Sequence, residues 1–199
     1  MKNRLSLSRL HFPVTALGPG RRLGLWLQGC ARRCPGCISP DTWAHTDDFL
    51  AVEEIMAAIA PWLDQCDGLT VSGGEPLDQA EGLLALLQLV RRETAADILV
   101  FTGYHFEEIE RRLRERPGLI DALMCGPYQA DSPQTLALRG SDNQRLHCLT
   151  ELGRRNFSAY DRPRRPEERR LDLVTARQTA ACGWPAFPWP PTCRACGKY

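Results

Sequence analysis

Three cysteines within eight residues restrict most strongly what this chain can fold into. Cys30, Cys34 and Cys37 have the spacing C-x3-C-x2-C, and an apolar run over residues 23–27 predicts a short strand directly before them. Thiolates are soft ligands that hold zinc or iron–sulfur clusters. The spacing therefore predicts a metal centre at the end of a strand, and an accidental grouping of cysteines is the less favoured interpretation.

The number of cysteines in this loop distinguishes between the two kinds of centre. Structural zinc prefers four protein ligands, and no fourth Cys or His follows closely after Cys37. A cubane cluster that is held by three thiolates keeps one iron atom free of protein, and that iron can bind a substrate. Gly29 and Gly36 let the backbone bend around such a cluster without a Cβ clash. The pattern favours a cluster with one open iron.

Composition and charge exclude several other classes of protein. The N-terminus lacks the apolar run of a secretory signal, and no stretch is long and apolar enough to span a bilayer. We therefore expect a cytoplasmic protein, in which the nine cysteines are thiols or metal ligands rather than disulfides. Lys and Arg number 25 against 24 Asp and Glu, so the net charge of +1 supports neither a nucleic acid nor a membrane as the partner.

Apolar periodicity predicts an alternation of strands and helices after the cysteines. The predicted helices cover residues 51–66, 77–93 and 105–116, and the predicted strands cover residues 67–74, 97–104, 119–128 and 145–149. Such alternation implies parallel strands joined by right-handed crossovers, which is an α/β fold.

Four short motifs carry a resemblance to a known family. C-x3-C-x2-C is the signature of the radical S-adenosylmethionine (SAM) enzymes. In this chain it lies within the segment LWLQGC…CPGC…TW, and SGGEP, VFTGY and RGSDNQR follow in that order, at residues 72–76, 100–104 and 139–145. This series resembles the activating enzyme of the anaerobic (class III) ribonucleotide reductase, a glycyl-radical activase, from about Val14 to about Leu149.

The resemblance implies a fold and a reaction. The fold would be a partial, open (β/α) barrel with the cofactors at the carboxyl ends of its strands. Cys30, Cys34 and Cys37 would hold a [4Fe-4S] cluster whose fourth iron chelates SAM. One electron from an external donor such as flavodoxin or ferredoxin would cleave SAM to methionine and a 5′-deoxyadenosyl radical, which takes hydrogen from a glycine of a protein partner. No side chain is needed as a catalytic acid or base, because the cofactor performs the difficult step.

The resemblance also assigns cofactor-binding residues. Gly73 and Gly74 lack side chains, so their main chain can approach a ligand, and Glu75 offers an acceptor for a cationic amine. By resemblance these three residues bind the amino group of SAM; the alternative is a plain strand-to-helix turn. Thr102 is interpreted equally as a SAM contact or as the cap of the next helix.

The segment RGSDNQR brings several polar side chains together before a predicted strand. Arg139, Ser141, Asn143, Gln144 and Arg145 form this polar cluster. In a parallel barrel the start of a strand is not the edge where catalysis takes place. A hydrogen-bonded surface loop therefore stays open as the interpretation of this segment.

The chain departs from the family pattern at two places. Ile38 and Ser39 stand where the activases commonly have an aromatic residue and Asn, which leaves the identity of the partner open. Residues 157–199 extend the predicted barrel domain of residues 1–156, and they are rich in Pro and Trp. This extension could hold a second iron–sulfur cluster or zinc, or no metal, through Cys182, Cys193 and Cys196, with Cys66, Cys125 or Cys148 as a fourth ligand.

Two other functions remain as alternatives. A radical SAM enzyme that modifies a different peptide or protein would share the cysteine motif, and the extra cysteines favour it. A non-catalytic iron–sulfur or zinc protein for binding or electron transfer would also contain such a loop. SGGEP argues against this last class, because an electron carrier has no use for a site that binds the SAM amino group.

Overall fold

A six-stranded sheet organises residues 3–168, which are the residues that the computed structural model describes. The strands of the protein are β1 (Arg4–Leu5), β2 (Leu7–Val14), β3 (Arg22–Leu27), β4 (Leu50–Ala51), β5 (Gly68–Gly73), β6 (Asp97–Thr102), β7 (Ala122–Cys125) and β8 (Arg145–Cys148). The sheet has the order β2-β3-β5-β6-β7-β8, and β1 pairs separately with β4.

The four central strands determine the class of the fold. β3, β5, β6 and β7 are parallel, and each is paired with the next of them in chain order. Sequential order of parallel strands is the arrangement of a (β/α) barrel. β2 and β8 pair antiparallel to the ends of this set and leave the sheet open. The predicted partial barrel is confirmed.

Four helices accompany the sheet, together with short 3-10 turns. The helices are α1 (Val52–Leu63), α2 (Ala80–Glu93), α3 (Phe106–Arg114) and α4 (Glu151–Phe157), and the 3-10 turns are Pro40–Thr42, Pro76–Gln79, Ser158–Tyr160 and Pro166–Glu168. In α2 the buried residues Leu83, Leu86, Leu87 and Val90 follow helical spacing and pack into the core below the sheet's parallel strands. Full burial of each such side chain contributes about 1.5–3 kcal/mol.

A buried ion pair connects the first residues of β3 and β6 at the amino edge of the sheet. Arg22 is completely buried and donates to Asp97 Oδ1 at 2.6 Å and to Thr70 Oγ1 at 2.5 Å. Asn156 Nδ2 donates to the other oxygen of Asp97 at 2.8 Å, so α4 is bound to the same group. Charge-assisted hydrogen bonds of this kind compensate the cost of taking both charges out of water.

The structure differs from the sequence prediction at several places. The strand expected over residues 119–128 is limited to β7, because Gly126 (φ +113°) turns the chain immediately after Cys125. Neither β2 nor α4 was expected from the periodicity. The charged, proline-broken run that begins at Asp161 is typical of a linker, yet it is partly fixed in the structure. Arg162 pairs with Glu168 at 2.6 Å, and Leu136 forms an isolated β-bridge with Pro163.

The predicted extension is only partly described. Phe157, its first residue, is fully buried, and the chain is described through Glu168. The sequence LDLVTA is compatible with one last strand over residues 171–176, but this segment and the cysteines Cys182, Cys193 and Cys196 lie outside the described residues. In the part that is described, every helix is too short or too polar to cross a membrane.

Candidate cluster and cofactor site

The three cysteines of the motif lie in one loop at the carboxyl end of β3. Cys30, Cys34 and Cys37 are free thiols, and each is half-buried. The ends of the loop are closed by two backbone hydrogen bonds, from Gly29 N to Thr42 O at 2.8 Å and from Cys30 N to Trp43 O at 3.2 Å. The fold therefore positions all three thiols at the edge where parallel α/β barrels bind their cofactors.

Backbone N–H groups of the loop point at two of the sulfur atoms. Ser39 N donates to Cys37 Sγ at 3.4 Å, and the N–H groups of Arg32 and Arg33 donate to Cys30. Burial raises the pKa of the Cys30 thiol, and these N–H groups partly oppose the increase. N–H donors stabilise negative charge on sulfur, as hydrogen bonds to the sulfurs of iron–sulfur clusters do. The donor set fits a cluster of this type.

The spacing of the side chains does not fit a single metal ion. Within residues 3–168, no three His, Cys, Asp or Glu side chains lie close enough together to bind one ion. A cubane cluster bonds each thiolate to a different iron atom, so its ligands are farther apart than the ligands of one ion.

The SGGEP turn packs directly on the cysteine loop. Gly74 N donates to Leu27 O at 2.8 Å, and Glu75 N donates to Gly29 O at 2.9 Å. A Cβ on Gly74 would lie 2.1 Å from Gly29 O, and one on Gly73 (φ +101°) would lie 2.5 Å from Leu27 N. Both glycines are therefore required by the crossing of two backbone segments. Their predicted approach to a ligand stays a prediction.

Glu75 is the buried centre of the turn, with 1% of its surface exposed. Its carboxylate accepts hydrogen bonds from Leu77 N at 3.0 Å, Thr102 Oγ1 at 2.7 Å and Gly103 N at 2.7 Å. Burial raises the pKa of Glu75, and the three donors oppose the increase. A carboxylate has about four acceptor positions, and three are occupied by these donors. The binding of an amine by Glu75 stays a prediction.

Thr102 is likewise buried, and its hydroxyl group has two partners. It donates to Glu75 and accepts a hydrogen bond from Tyr104 N at 3.1 Å. These contacts fix the turn between β6 and α3. The predicted role in binding SAM stays a prediction, and in the structure Thr102 orients Glu75.

Two residues that the sequence interpretation missed join the same edge. Asp78 accepts from the Tyr104 hydroxyl at 2.8 Å and from Ala31 N at 3.3 Å. The guanidinium carbon of Arg32 lies 4.0 Å from the centre of the Tyr104 ring, which is a cation–π contact. Asp78 was detectable as the first acidic residue after SGGEP. No sequence signal separates Arg32 from the many other arginines of the chain.

The segment RGSDNQR lies at the carboxyl edge as well. β8 runs antiparallel to β7, so that Arg145 at its start pairs with Cys125 at the end of β7. The sequence interpretation treated all strands as parallel and therefore did not place this segment at the catalytic edge. Most of its polar groups bind neighbouring backbone: Gln144 Nε2 donates to Gly126 O at 3.0 Å, and Arg139 Nε donates to Gln144 O at 2.7 Å.

Comparison with known proteins gives consistent matches over this region. The model of a 4Fe-4S single cluster domain matches residues 16–147. The chain is 34% identical over 139 residues to the anaerobic ribonucleoside-triphosphate reductase-activating protein of Enterobacteria phage T4, covering 67% of this chain and 88% of that protein. The protein of the same name from Salmonella typhi is 33% identical over 148 residues, covering 70% and 96%.

A second kind of activating enzyme is also similar. The pyruvate formate-lyase-activating enzyme of Clostridium pasteurianum is 28% identical over 148 residues, and the match covers 72% of this chain and 56% of that protein. The matched 4Fe-4S domain contains the cysteine loop, the SGGEP turn and Thr102.

Proposed function

The chain belongs to the family of anaerobic ribonucleoside-triphosphate reductase-activating proteins, and we propose that it activates such a reductase by forming a glycyl radical on it. The enzymes of this family are radical SAM activases with a [4Fe-4S] cluster and SAM as cofactors. A cluster held by Cys30, Cys34 and Cys37 would supply the electron for the reductive cleavage of SAM, which is the chemistry that this family uses to take a hydrogen atom from glycine.

The packing of the cysteine loop on the SGGEP turn carries this proposal. Gly29 of the loop accepts the hydrogen bond of Glu75 N at 2.9 Å, so the thiols and the Glu75 carboxylate have a fixed relation to each other. In the proposal Cys30, Cys34 and Cys37 bind the cluster. Gly73, Gly74 and Glu75 bind the amino group of SAM, and Thr102 orients Glu75.

The partners of the proposed reaction are proteins. The hydrogen donor is a glycine of a large partner enzyme, and the proposal places that segment at the carboxyl edge of the sheet, whose end strands β2 and β8 are not paired with each other. The electron comes from an external one-electron carrier such as flavodoxin or ferredoxin. A cytoplasmic location agrees with this set of partners.

A second candidate function is a radical SAM enzyme with a different protein or peptide target. Ile38, directly after Cys37, has 91% of its surface exposed and is the one exposed large apolar side chain among the described residues. It stands where the activases commonly have an aromatic residue. The surface next to the cluster loop thus differs from the family pattern at a position that a protein substrate would meet.

The first experiment tests for SAM cleavage. Protein reconstituted anaerobically with iron and sulfide is mixed with dithionite and SAM, and 5′-deoxyadenosine is measured by liquid chromatography. We expect release by the wild type and by Cys66→Ala, and none by Cys34→Ala. Absence of release from wild type that contains a full cluster would refute both enzyme functions.

The second experiment distinguishes the two targets. The activated mixture is incubated with the candidate anaerobic reductase and examined by electron paramagnetic resonance. A glycyl-radical signal supports the leading proposal, and a reductase that gains no signal while SAM is cleaved favours the second candidate.

The extension is tested separately through its metal content. A variant that ends before Cys182 is compared with the full chain by iron and zinc analysis. Lower metal content per chain would support a second site at Cys182, Cys193 and Cys196, and unchanged content would remove it.

A further inference from the structure

Asn143 carries an acceptor that no group among residues 3–168 uses. Among residues 3–168, two buried side-chain atoms lack a hydrogen-bond partner, and they are Arg32 Nε and Asn143 Oδ1. Asn143 Nδ2 donates to Pro127 O at 2.9 Å, which fixes the orientation of the amide, because a reversed amide would set two oxygen atoms against each other. The unpaired atom is therefore the oxygen.

The other polar residues of the same segment are paired. Gln144 Oε1 accepts from Gly140 N at 2.8 Å, Ser141 Oγ accepts from Gln129 N at 3.1 Å, and Asp142 accepts from Leu136 N at 2.9 Å. Asp142 and Gln144, the residues on either side of Asn143, thus have their hydrogen-bond partners within the described residues. Buried polar atoms in native proteins are nearly always paired, so the exception at Asn143 calls for a partner from outside the described residues.

Asn143 lies at the edge that carries the cysteine loop. A Cβ on Gly126 would lie 3.8 Å from Asn143 Nδ2, and Gly126 N donates to Thr102 O at 3.1 Å and Tyr104 O at 2.9 Å. Thr102 in turn binds Glu75. Hydrogen bonds therefore lead from the SGGEP turn through Thr102 to Gly126, and the next residue, Pro127, binds Asn143 Nδ2 through its carbonyl oxygen.

We propose that Asn143 Oδ1 binds the adenosine part of SAM by accepting a hydrogen bond from it. This inference rests on the proposed function, in which the methionine part is held at the cysteine loop and Glu75, on β3 and β5. Asn143 lies farther along the same edge, at the junction of β7 and β8. The adenosine part carries hydroxyl and amino donors, and an unpaired acceptor matches these groups.

The test measures binding without turnover. Full-length protein with an oxidised cluster is titrated with S-adenosylhomocysteine and, separately, with L-methionine, by anaerobic calorimetry. S-adenosylhomocysteine cannot be cleaved and lacks the sulfonium charge. We expect Asn143→Ala to weaken its binding about tenfold and to leave methionine binding unchanged, since only the adenosine contact is lost.

A second variant separates binding from a structural effect. Asn143→Asp keeps an acceptor in place of Oδ1 but loses the bond to Pro127, so it should bind S-adenosylhomocysteine within about threefold of the wild type. Gln65→Ala, which removes an exposed amide after α1, is the control and should bind both ligands normally. Iron content and thermal unfolding show whether each variant is folded.

The outcomes are distinct. Unchanged binding of S-adenosylhomocysteine by Asn143→Ala, equal losses for both ligands, or an equal loss in Asn143→Asp would each overturn the role of Asn143. Loss of reductase binding with normal S-adenosylhomocysteine binding would also overturn it and would assign Oδ1 to the protein substrate. A wild type that contains its cluster and binds no S-adenosylhomocysteine would overturn the proposed function together with this inference.

Discussion

The buried carboxylate of Glu75 accepts a hydrogen bond of 2.7 Å from the hydroxyl group of Thr102. This contact ties the carboxyl end of β5 to the carboxyl end of β6. Gly103 N donates to the same carboxylate at 2.7 Å. The SGGEP and VFTGY motifs, which are separate in sequence, are therefore one structural unit at the candidate site.

Removing the hydroxyl of Thr102 should destabilise this unit. Thr102→Val has nearly the same volume but leaves Tyr104 N and one acceptor position of Glu75 without their partner. We expect the free energy of unfolding to fall by about 1–3 kcal/mol, measured by urea denaturation. Thr102→Ser keeps the hydroxyl and should lose only about 0.8 kcal/mol for the methyl group. Equal stability of the Val variant and the wild type would contradict the structure.

The buried ion pair at the amino edge should be strongly coupled. Arg22→Met leaves the Asp97 carboxylate buried without its cation, so we expect a loss of about 3–5 kcal/mol in the free energy of unfolding. Adding Asp97→Asn removes the uncompensated charge, and the double variant should lose less than the sum of the two single variants. Additive losses in urea denaturation would show that the two side chains do not interact.

The Cys125 thiol should be unreactive in the folded protein. Burial raises its pKa to about 12, with smaller contributions from Glu107 and Glu75. At pH 8 its thiolate fraction is then about 1000-fold below that of an ordinary thiol. We expect iodoacetamide to label the half-buried Cys34 of cluster-free protein and to leave Cys125 unmodified until denaturant is added. Peptide mass spectrometry measures both, and similar labelling rates would disprove this prediction.

The Glu168 carboxyl should titrate well below its usual range. The hydrogen bonds of Arg162 lower its pKa from 4.5 to about 2. A lowered folded-state pKa contributes stability that is present above pH 4.5 and lost as the pH falls through about 2. The pair is partly exposed, so the contribution is at most about 1 kcal/mol.

Nuclear magnetic resonance measures this titration directly. Arg162→Met should raise the pKa of Glu168 toward 4.5, although the hydrogen bond from Arg165 N remains. Arg155→Met changes an exposed arginine of α4 and should leave the pKa of Glu168 at about 2. A midpoint near 4.5 in the wild type would show that the pair does not form in solution.

Local sequence patterns predicted the centre of the fold well. The apolar runs that became β3, β5 and β6 are buried almost throughout, and their ends carry the motifs that were recognised. β2 was missed although its buried residues alternate from Leu10 to Val14, because Pro13 lies within the run and a proline argues against the interior of a strand. α4 has only seven residues, too few for periodicity to be visible.

The candidate site was predictable only in part. The cysteine spacing indicates its own chemistry, and the double glycine indicates a close approach. The sequence could not show that this approach is between two segments of the chain, since Gly29 and Gly74 are brought together by the pairing of β3 with β5. It also could not show that β8 is antiparallel, a fact of topology that places Asn143 at the cofactor edge.

The contact between Gly74 and Gly29 determines how this protein can be re-engineered. A cysteine loop from another activase should be exchanged together with its own SGGEP turn, because a side chain at Gly74 would force the two backbones apart and one at Gly29 would meet the ring of His45. The cysteine loop and the SGGEP turn should therefore be treated as one unit when segments are exchanged between related enzymes. Ile38 lies outside this crossing and is exposed, so libraries that seek a new protein target should vary that position and leave the glycines unchanged.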